Sequence, residues 1–258
     1  MIGAAVGIPA VALALAPASA GAGTTRGVAL SAVPAHVTLA GNARTAVHVT
    51  NTGTKRVVVD ISRAGFALDL RGRPRIVPRG GARSAAPWLT LQPKHLLLAP
   101  HASASLVVAS KLPRRAAPGD HDALMVLSTR RLGGARVAVR VRMGVVVVVR
   151  APGRTVRRLE LRRLRVTRRG RARAFDVLVA NRGNVNESLT RARAVVSLAG
   201  GGRPIATLVA ASRDLRPRTS GIVEFPFRGL LHGRITARIV IPAEPGRSAV
   251  TRTYRIRL

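Results

Sequence analysis

Hydrophobic residues alternate with polar or small residues along most of the chain from Val28 onward. The alternation is regular at positions 137–145, where every second residue is Val or Met. Similar short runs recur along the chain, and Gly, Pro and Asn separate them. A period of two with turn residues between the runs is typical of antiparallel strands in a sandwich or barrel. The sequence therefore predicts an all-β fold.

The alternation stops at Ala151-Pro152-Gly153, and a weak internal repeat lies on either side of that break. Residues 47–54 resemble residues 177–184, since each segment reads as a strand that enters an Asn-x-Gly turn. Asn and Gly both tolerate the left-handed backbone that such turns use. We therefore predict two tandem immunoglobulin-like β-sandwich domains, which cover residues 27–150 and 154–258.

The first residues form an apolar, uncharged run at positions 2–16 that ends in Pro17-Ala18-Ser19-Ala20. Small residues after a short apolar run are typical of a signal-peptidase site, so we predict a cleaved signal peptide at residues 1–20. The protein is then exported, and extracellular or associated with the cell wall. No Lys or Arg precedes the run, which departs from the usual leader. Arg interrupts every later apolar run, so no transmembrane span is predicted.

Composition adds charge and removes several kinds of chemistry. The chain has 44 Lys and Arg residues against 10 Asp and Glu residues, which gives a formal net charge of +34. Such a charge attracts polyanions. A GC-rich genome, which favours Arg codons, explains the same composition without a functional cause. The absence of cysteine excludes disulfides, thiolate chemistry and cysteine-held metal sites.

Two arginine-rich segments are candidate binding surfaces for an anionic polymer. In the first, the apolar alternation shifts by one residue after Leu161, which predicts a strand with a bulge at Arg162-Arg163. If its apolar residues face the core, its arginines form an exposed face, and guanidinium groups match phosphate geometry. A solvated edge strand protected by charge is the alternative. The candidates on this strand are Arg157, Arg158, Arg162, Arg163, Arg165, Arg168 and Arg169.

The second segment, residues 71–87, is rich in Gly, Pro and Arg and lacks periodicity. Such a segment is predicted to be an exposed loop, and exposed loops often carry binding residues. Its candidate binding residues are Arg71, Arg73, Arg75, Arg79 and Arg83.

Catalytic motifs are missing from the sequence. The six histidines are scattered without metal-binding spacing, and the acids form no evident general acid–base pair. His121, between Asp120 and Asp122, suggests a metal or proton site, although Pro118-Gly119-Asp120 also fits a turn before the next strand. Trp88 fits either a sugar-stacking surface or a core position. We predict a protein that is not an enzyme, with no cofactor, no metal site and no small-molecule substrate.

Several segments resemble, in order, one family of cell-surface proteins. Trp88-Leu89-Thr90-Leu91-Gln92-Pro93 places a Trp-containing strand before a Pro-rich turn, and Asn181-Arg182-Gly183-Asn184 resembles a turn of a second domain. These segments are similar to the DUF916-type, or WxL-interacting, proteins. The resemblance implies two immunoglobulin-like domains outside a Gram-positive cell. It implies that the first domain binds peptidoglycan and the second a surface or host protein, such as a WxL-type protein.

Three functions remain open from the sequence. The one we expect is a non-enzymatic cell-envelope protein that contacts peptidoglycan or an anionic wall polymer, and in addition a surface protein. The second is a periplasmic-type assembly chaperone, because a long alternating strand at positions 137–149 suits donor-strand pairing. The third is a nucleic-acid-binding protein, which the scarcity of aromatic residues and the predicted leader argue against.

Overall fold

The computed structural model describes residues 27–77, 80–81, 83–130, 140–170, 172–189, 194–229, 231–242 and 249–258. The predicted signal peptide lies outside these residues. Apart from one short 3-10 helix, every regular element of the described chain is a β-strand. The prediction of an all-β protein with two immunoglobulin-like sandwiches is confirmed. None of the helical structure in the described ranges is long and apolar enough to cross a bilayer.

The first sandwich packs two sheets against each other. Its strands are β1 (Leu30–Val33), β2 (His36–Ala40), β3 (Arg44–Asn51), β4 (Val57–Leu68), β5 (Pro74–Val77), β6 (Leu89–Gln92), β7 (His95–Leu98), β8 (Ser103–Ser110), β9 (Gly119–Thr129) and β10 (Arg142–Ala151), with the 3-10 helix at Ala86–Trp88. One sheet has the order β1-β3-β8-β6, and the other has the order β2-β10-β9-β4-β5 with β7 also beside β4. Strand β2 is parallel to β10, and β9 is antiparallel to it.

The period of two places one face of each strand in the first core. In β3, for example, Val47 and Val49 are fully buried while His48 between them is exposed. Strand β9 differs, because all of its residues are buried. Its outward residues, such as Leu124, join Phe66 in a small apolar cluster on the outer face of the sheet. One sheet of the first sandwich is therefore apolar on both faces.

The second sandwich is built from the remaining strands. They are β11 (Leu159–Arg169), β12 (Ala172–Asn181), β13 (Glu187–Leu189), β14 (Val195–Gly200), β15 (Arg203–Val209), β16 (Arg213–Leu215), β17 (Ser220–Arg228), β18 (Arg234–Ile241) and β19 (Val250–Arg257). The sheets have the orders β11-β12-β17 and β15-β14-β18-β19, and β13 pairs with β16. The register of β11 shifts between Leu161 and Arg163, so the predicted bulge is confirmed. Leu161 and Leu164 are buried in the second core, as the alternation predicted.

The two cores have no residue in common: the first draws on residues up to Val149 and the second on residues from Leu159 onward. Each core is built mainly from aliphatic side chains, with Phe175 and Phe225 at the centre of the second. The boundary at residues 150–154 itself stays a prediction.

The repeated Asn-x-Gly segments occupy equivalent places in the two sandwiches. Asn51 ends β3, and its side-chain amide donates to the carbonyl of Lys55 at 2.8 Å. Asn181 ends β12, and its amide donates to the carbonyl of Val185, also at 2.8 Å. Both asparagines are fully buried, and each accepts a hydrogen bond from the N–H of the glycine two residues later. The repeat therefore marks one structural device used twice.

The glycine of each repeat is needed for space. Gly53 and Gly183 do not have a positive φ, so the left-handed backbone invoked from the sequence is the wrong reason for them. A Cβ on Gly53 would lie 2.2 Å from the carbonyl oxygen of Gly27, and a Cβ on Gly183 would lie 2.3 Å from that of Val156. The chain that enters each sandwich thus passes too close to these glycines for any side chain.

Candidate functional site

The two sandwiches meet where buried carboxylates of β9 bind groups of the second sandwich. Asp122, 3% exposed, accepts hydrogen bonds from Arg216 Nε at 2.6 Å and Asn186 Nδ2 at 2.8 Å. Asp120, 1% exposed, accepts from the Asn186 backbone N–H at 2.8 Å. Arg150 holds the same carboxylate through two bonds of 2.6 and 3.0 Å. Because an unpaired buried charge is costly, these contacts hold the sandwiches in one arrangement.

The hairpin between β4 and β5 extends this contact onto the second sandwich. The carbonyl of Leu70 accepts a hydrogen bond from the N–H of Ile222 in β17 at 2.7 Å. Arg71 continues further and pairs with Asp176 at 3.1 Å and with Glu224 at 3.7 Å. These two carboxylates are direct neighbours across β12 and β17. One arginine of the first sandwich therefore bridges two adjacent carboxylates of the second.

We call this set of contacts the inter-domain joint. Its carboxylates are Asp120, Asp122, Asp176 and Glu224, and its arginines are Arg71, Arg150, Arg213 and Arg216. The joint thus holds four of the ten acidic residues in the whole chain.

A cavity of about 670 Å³ lies beside the joint. One wall is the outer face of the β10 sheet, where Phe66, Val146 and Val148 line the cavity. The opposite wall is polar and contains Arg213 and Asn186. Arg213 Nε and Asn186 Oδ1 are buried and have no hydrogen-bond partner among the described residues. The cavity therefore combines an apolar wall with polar lining residues of the second sandwich.

Strand β10 borders this cavity and is only partly covered along one edge. On one side, β9 pairs with its whole length. On the other side, β2 pairs only with residues 146–150, and the N–H of Val146 donates to the carbonyl of Ala35 at 3.1 Å. Residues 142–145 have no strand beside them on that side in the described chain. We call these four residues the open edge.

Backbone groups of the open edge are available for pairing. Because N–H groups point to alternate sides of a strand, those of Arg142 and Gly144 point in the same direction as that of Val146, away from β9. Met143 between them packs partly against the first core. The carbonyl that accepts from Val146 belongs to Ala35. Val33 lies two residues before Ala35, and its side chain is 64% exposed. The open edge therefore combines free hydrogen-bonding groups with nearby apolar surface.

Two other sheet edges carry residues that oppose pairing with a further strand. Strand β5 begins with Pro74-Arg75, and β15 begins with Arg203-Pro204. Proline lacks the N–H that a ladder needs, and an exposed charge opposes edge-to-edge association. The open edge contains no proline, and its one charged residue is the exposed Arg142 at its end.

The predicted loop arginines lie in different surroundings. Residues 71–87 do not form one exposed loop, as the sequence suggested, because they include β5 and the 3-10 helix. Arg71 belongs to the joint, and Arg83 is partly buried and donates to a backbone carbonyl at 3.0 Å. Burial lowers the pKa of the Arg83 guanidinium. Of the others, Arg73 and Arg75 are exposed, and Arg79 lies outside the described residues.

The candidate arginines on β11 and just before it lie close to carboxylates. Arg157 pairs with the buried Glu187 at 3.2 Å, and Arg162 pairs with Glu160 at 2.8 Å. Acidic neighbours reduce the positive potential of this strand, and its binding of an anionic polymer stays a prediction. Of the remaining candidates, Arg165 is opposite Asp176 in the sheet. The exposed candidates are Arg158, Arg163 and Arg168. The side chain of Arg169 lies outside the described part.

His121 has the surroundings of a core residue. Its ring lies 4.3 Å from the ring of Trp88, and its Nε2 is 2.7 Å from the carbonyl oxygen of Ala117. Burial lowers the pKa of His121, with the nearby Arg83 charge contributing. Trp88 packs against the first core, which favours the core position over a sugar-stacking surface. The described ranges hold no group of three or more side chains suited to a metal ion.

Sequence reasoning missed the joint, although one signal for it was present. The predicted turn at residues 118–120 is wrong, because β9 begins at Gly119 and includes Asp120 and Asp122. Two scarce acids two residues apart on a strand share one face. In a chain with ten acids, that pair could have indicated a surface that meets arginine.

Comparisons with known proteins found similarity to solved structures alone, at low sequence identity. No protein-family model matches the chain, and no curated protein matches it. Among solved structures, the class 5 fimbriae chaperone CfaA is 11% identical with a TM-score of 0.49, and covers 87% of this chain and 98% of its own. The E. coli chaperone DraB is 13% identical with a TM-score of 0.47, covering 90% and 98%. The Salmonella enterica SafA pilin–SafB chaperone structure is 12% identical with a TM-score of 0.46, covering 91% and 99%. At these identities and scores, the likeness carries no information about ligand or partner.

Proposed function

We propose that this protein binds an extended segment of another polypeptide by strand addition at the open edge, as a non-enzymatic assembly chaperone would. The observation that carries the proposal is the edge of β10 at residues 142–145, which none of the described strands covers. The solved chaperones named above resemble the chain in strand arrangement only, so the proposal rests on this edge.

Main-chain hydrogen bonds supply the affinity in strand addition, and alternate side-chain positions supply the selectivity. An added strand would bond to the N–H groups of Arg142 and Gly144, which point away from β9. Its side chains would alternate between the side of Met143, which faces the first core, and the side of Val146, which borders the cavity. The proposed ligand is therefore an extended segment with apolar residues at alternate positions.

The joint supports this function by fixing the geometry of the cavity. Cavity residues come from both sandwiches, so a change in the angle between the sandwiches would change its shape. Asp122 and Arg216 connect the two sides through a bond of 2.6 Å between largely buried groups. A preformed groove loses less conformational entropy on binding than one that must first be ordered.

Peptidoglycan or wall-polymer binding by the β11 arginines and membership of the WxL-interacting family stay predictions. No feature of the described part of β11 favours them over the strand-addition proposal, since Glu160 pairs with Arg162 of this strand and Glu187 pairs with Arg157 just before it.

Hydrogen exchange tests the proposal directly. The probe is a synthetic peptide of about eight residues with Val and Thr in alternation, which matches the length of a typical strand. Binding is expected to slow the amide exchange of Arg142 and Gly144 at least about tenfold, because both amides become hydrogen-bonded. Protection that appears only at β15, or no protection anywhere, would contradict the proposal.

The variant Arg142→Pro removes one outward N–H and leaves the bonds to β9 in place. It should weaken peptide binding at least about tenfold, a loss that matches one or two main-chain hydrogen bonds. Arg142→Ala is the matched control, because it removes the same side chain and keeps the N–H. Equal binding by the two variants would show that the edge is not used.

A further inference from the structure

A second surface lies on the outer face of the β15-β14-β18-β19 sheet. In β18, alternate residues are buried in the second core, and Arg234, Thr236 and Arg238 point the other way into solvent. Strand β19 has the same alternation with Arg255 and Arg257 exposed. We call this surface the basic face; it consists of Ser197, Thr207, Arg234, Thr236, Arg238, Thr253, Arg255 and Arg257.

The basic face contains no carboxylate. Its four strands carry one arginine in β15, two in β18 and three in β19, and no Asp or Glu in any of them. The surface of a soluble domain ordinarily mixes charges of both signs. Within the described chain, no ion pair to a carboxylate involves the four arginines of the face. Among the described residues, no ion pair therefore offsets its positive charge.

The register places these arginines close together. Arg234 and Arg257 are direct partners across β18 and β19, so their Cβ atoms are about 5 Å apart. Like charges in that position destabilise a sheet. Arg255 is a diagonal neighbour of both Arg234 and Arg238, at about 7–8 Å. The four guanidinium groups thus form one short stripe, and a bound anion would relieve their repulsion.

We infer that the basic face binds a linear phosphodiester polymer of polyol units. Guanidinium groups form paired hydrogen bonds with phosphate oxygens. Thr236 and Thr253 lie between the arginines and can donate to phosphate or accept from a polyol hydroxyl. The ring of Tyr254 packs against the second core, so the described part of the face presents no aromatic surface on which a nucleic-acid base could stack.

The test is binding of a fluorescently labelled glycerol-phosphate oligomer to the full chain. The triple variant Arg238→Gln, Arg255→Gln, Arg257→Gln should weaken binding about 100-fold at low salt. It should also reduce the slope of log affinity against log salt concentration by about 2, since three phosphate contacts are lost.

The matched control is Arg44→Gln, Arg114→Gln, Arg115→Gln, which removes the same charge from exposed positions of the first sandwich. It should retain affinity within about threefold, as expected if long-range charge contributes weakly beside direct contacts. Equal losses in both variants would mean attraction by net charge alone and would overturn the inference. So would equal competition by a single-stranded oligonucleotide of the same phosphate number, or equal binding to vesicles of anionic phospholipid.

A measurement on the unsubstituted chain makes the result independent of variant folding. Side-chain Nε–Hε signals of Arg238, Arg255 and Arg257 should shift when the oligomer is added. Shifts confined to β11 arginines would place the polymer on the other sheet and would also overturn the inference.

Discussion

The inter-domain joint and the basic face each contain four arginines, but the two sets differ in their partners. In the joint, Arg71, Arg150 and Arg216 pair with carboxylates and Arg213 donates to backbone carbonyls. On the basic face, Arg234 is directly opposite Arg257. The difference follows burial, because the joint carboxylates are largely withdrawn from water and the arginines of the face are exposed.

Acidic residues are scarce in this chain, and their distribution reflects the cost of burying charge. Removing a charged group from water is costly unless it is paired and hydrogen-bonded, whereas an exposed guanidinium is stabilised by water. Four of the ten acids lie at the joint, where arginines of one sandwich must approach the other. The basic face has no acidic residue, so its arginines remain available to external anions.

The largest change in the free energy of unfolding is expected from breaking an ion pair in the joint. Asp122→Ala leaves Arg216, whose side chain is 15% exposed, without its carboxylate. The free energy of unfolding should fall by about 3 kcal/mol, as for other buried pairs that lose one partner. Urea denaturation followed by Trp88 fluorescence measures this change. The control is Asp60→Ala, which breaks an exposed pair with Arg130 and should cost much less. Equal costs would contradict the special role of the joint.

A smaller effect is expected from close packing at the joint. Gly119 has φ +102, and a Cβ on it would lie 2.1 Å from the carbonyl oxygen of Asn184. Gly119→Ala should therefore lower the free energy of unfolding by about 2 kcal/mol, which thermal unfolding would detect. Gly170→Ala is the control, because Gly170 has φ +57 and no atom lies within 4 Å of the added Cβ. It should lower the free energy of unfolding by about 1 kcal/mol, from the backbone conformation alone. If Gly170→Ala proves the more damaging change, the contact with Asn184 is not tight.

The smallest effect is expected on the basic face, and it has the opposite sign. Arg234→Thr removes the like-charged partner of Arg257, so the free energy of unfolding should rise by about 0.5 kcal/mol at low salt. Salt screens exposed charges, so the gain should disappear at high ionic strength. Arg238→Thr serves as the comparison, because its direct partner is Thr253. Urea denaturation at two salt concentrations distinguishes these outcomes, and a gain independent of salt would exclude repulsion as its cause.

Local patterns predicted several elements correctly. The phase shift in β11 predicted its bulge, because a strand exposes one face to the core and an extra residue must be accommodated. The resemblance between the two Asn-x-Gly segments predicted a repeated device, which Asn51 and Asn181 form in the two sandwiches. The reason given for the glycines was wrong, because the close carbonyls at Gly53 and Gly183 belong to distant parts of the chain.

The sequence by itself determined the all-β class and the positions of many core residues, since alternation is a local property of an extended chain. Only the tertiary structure decided the joint and the open edge. Asp120 and Asn186 are 66 residues apart, and the two ends of β10 differ only because β2 covers one of them. Such contacts depend on how distant segments pack, and the period of two does not record which segments meet.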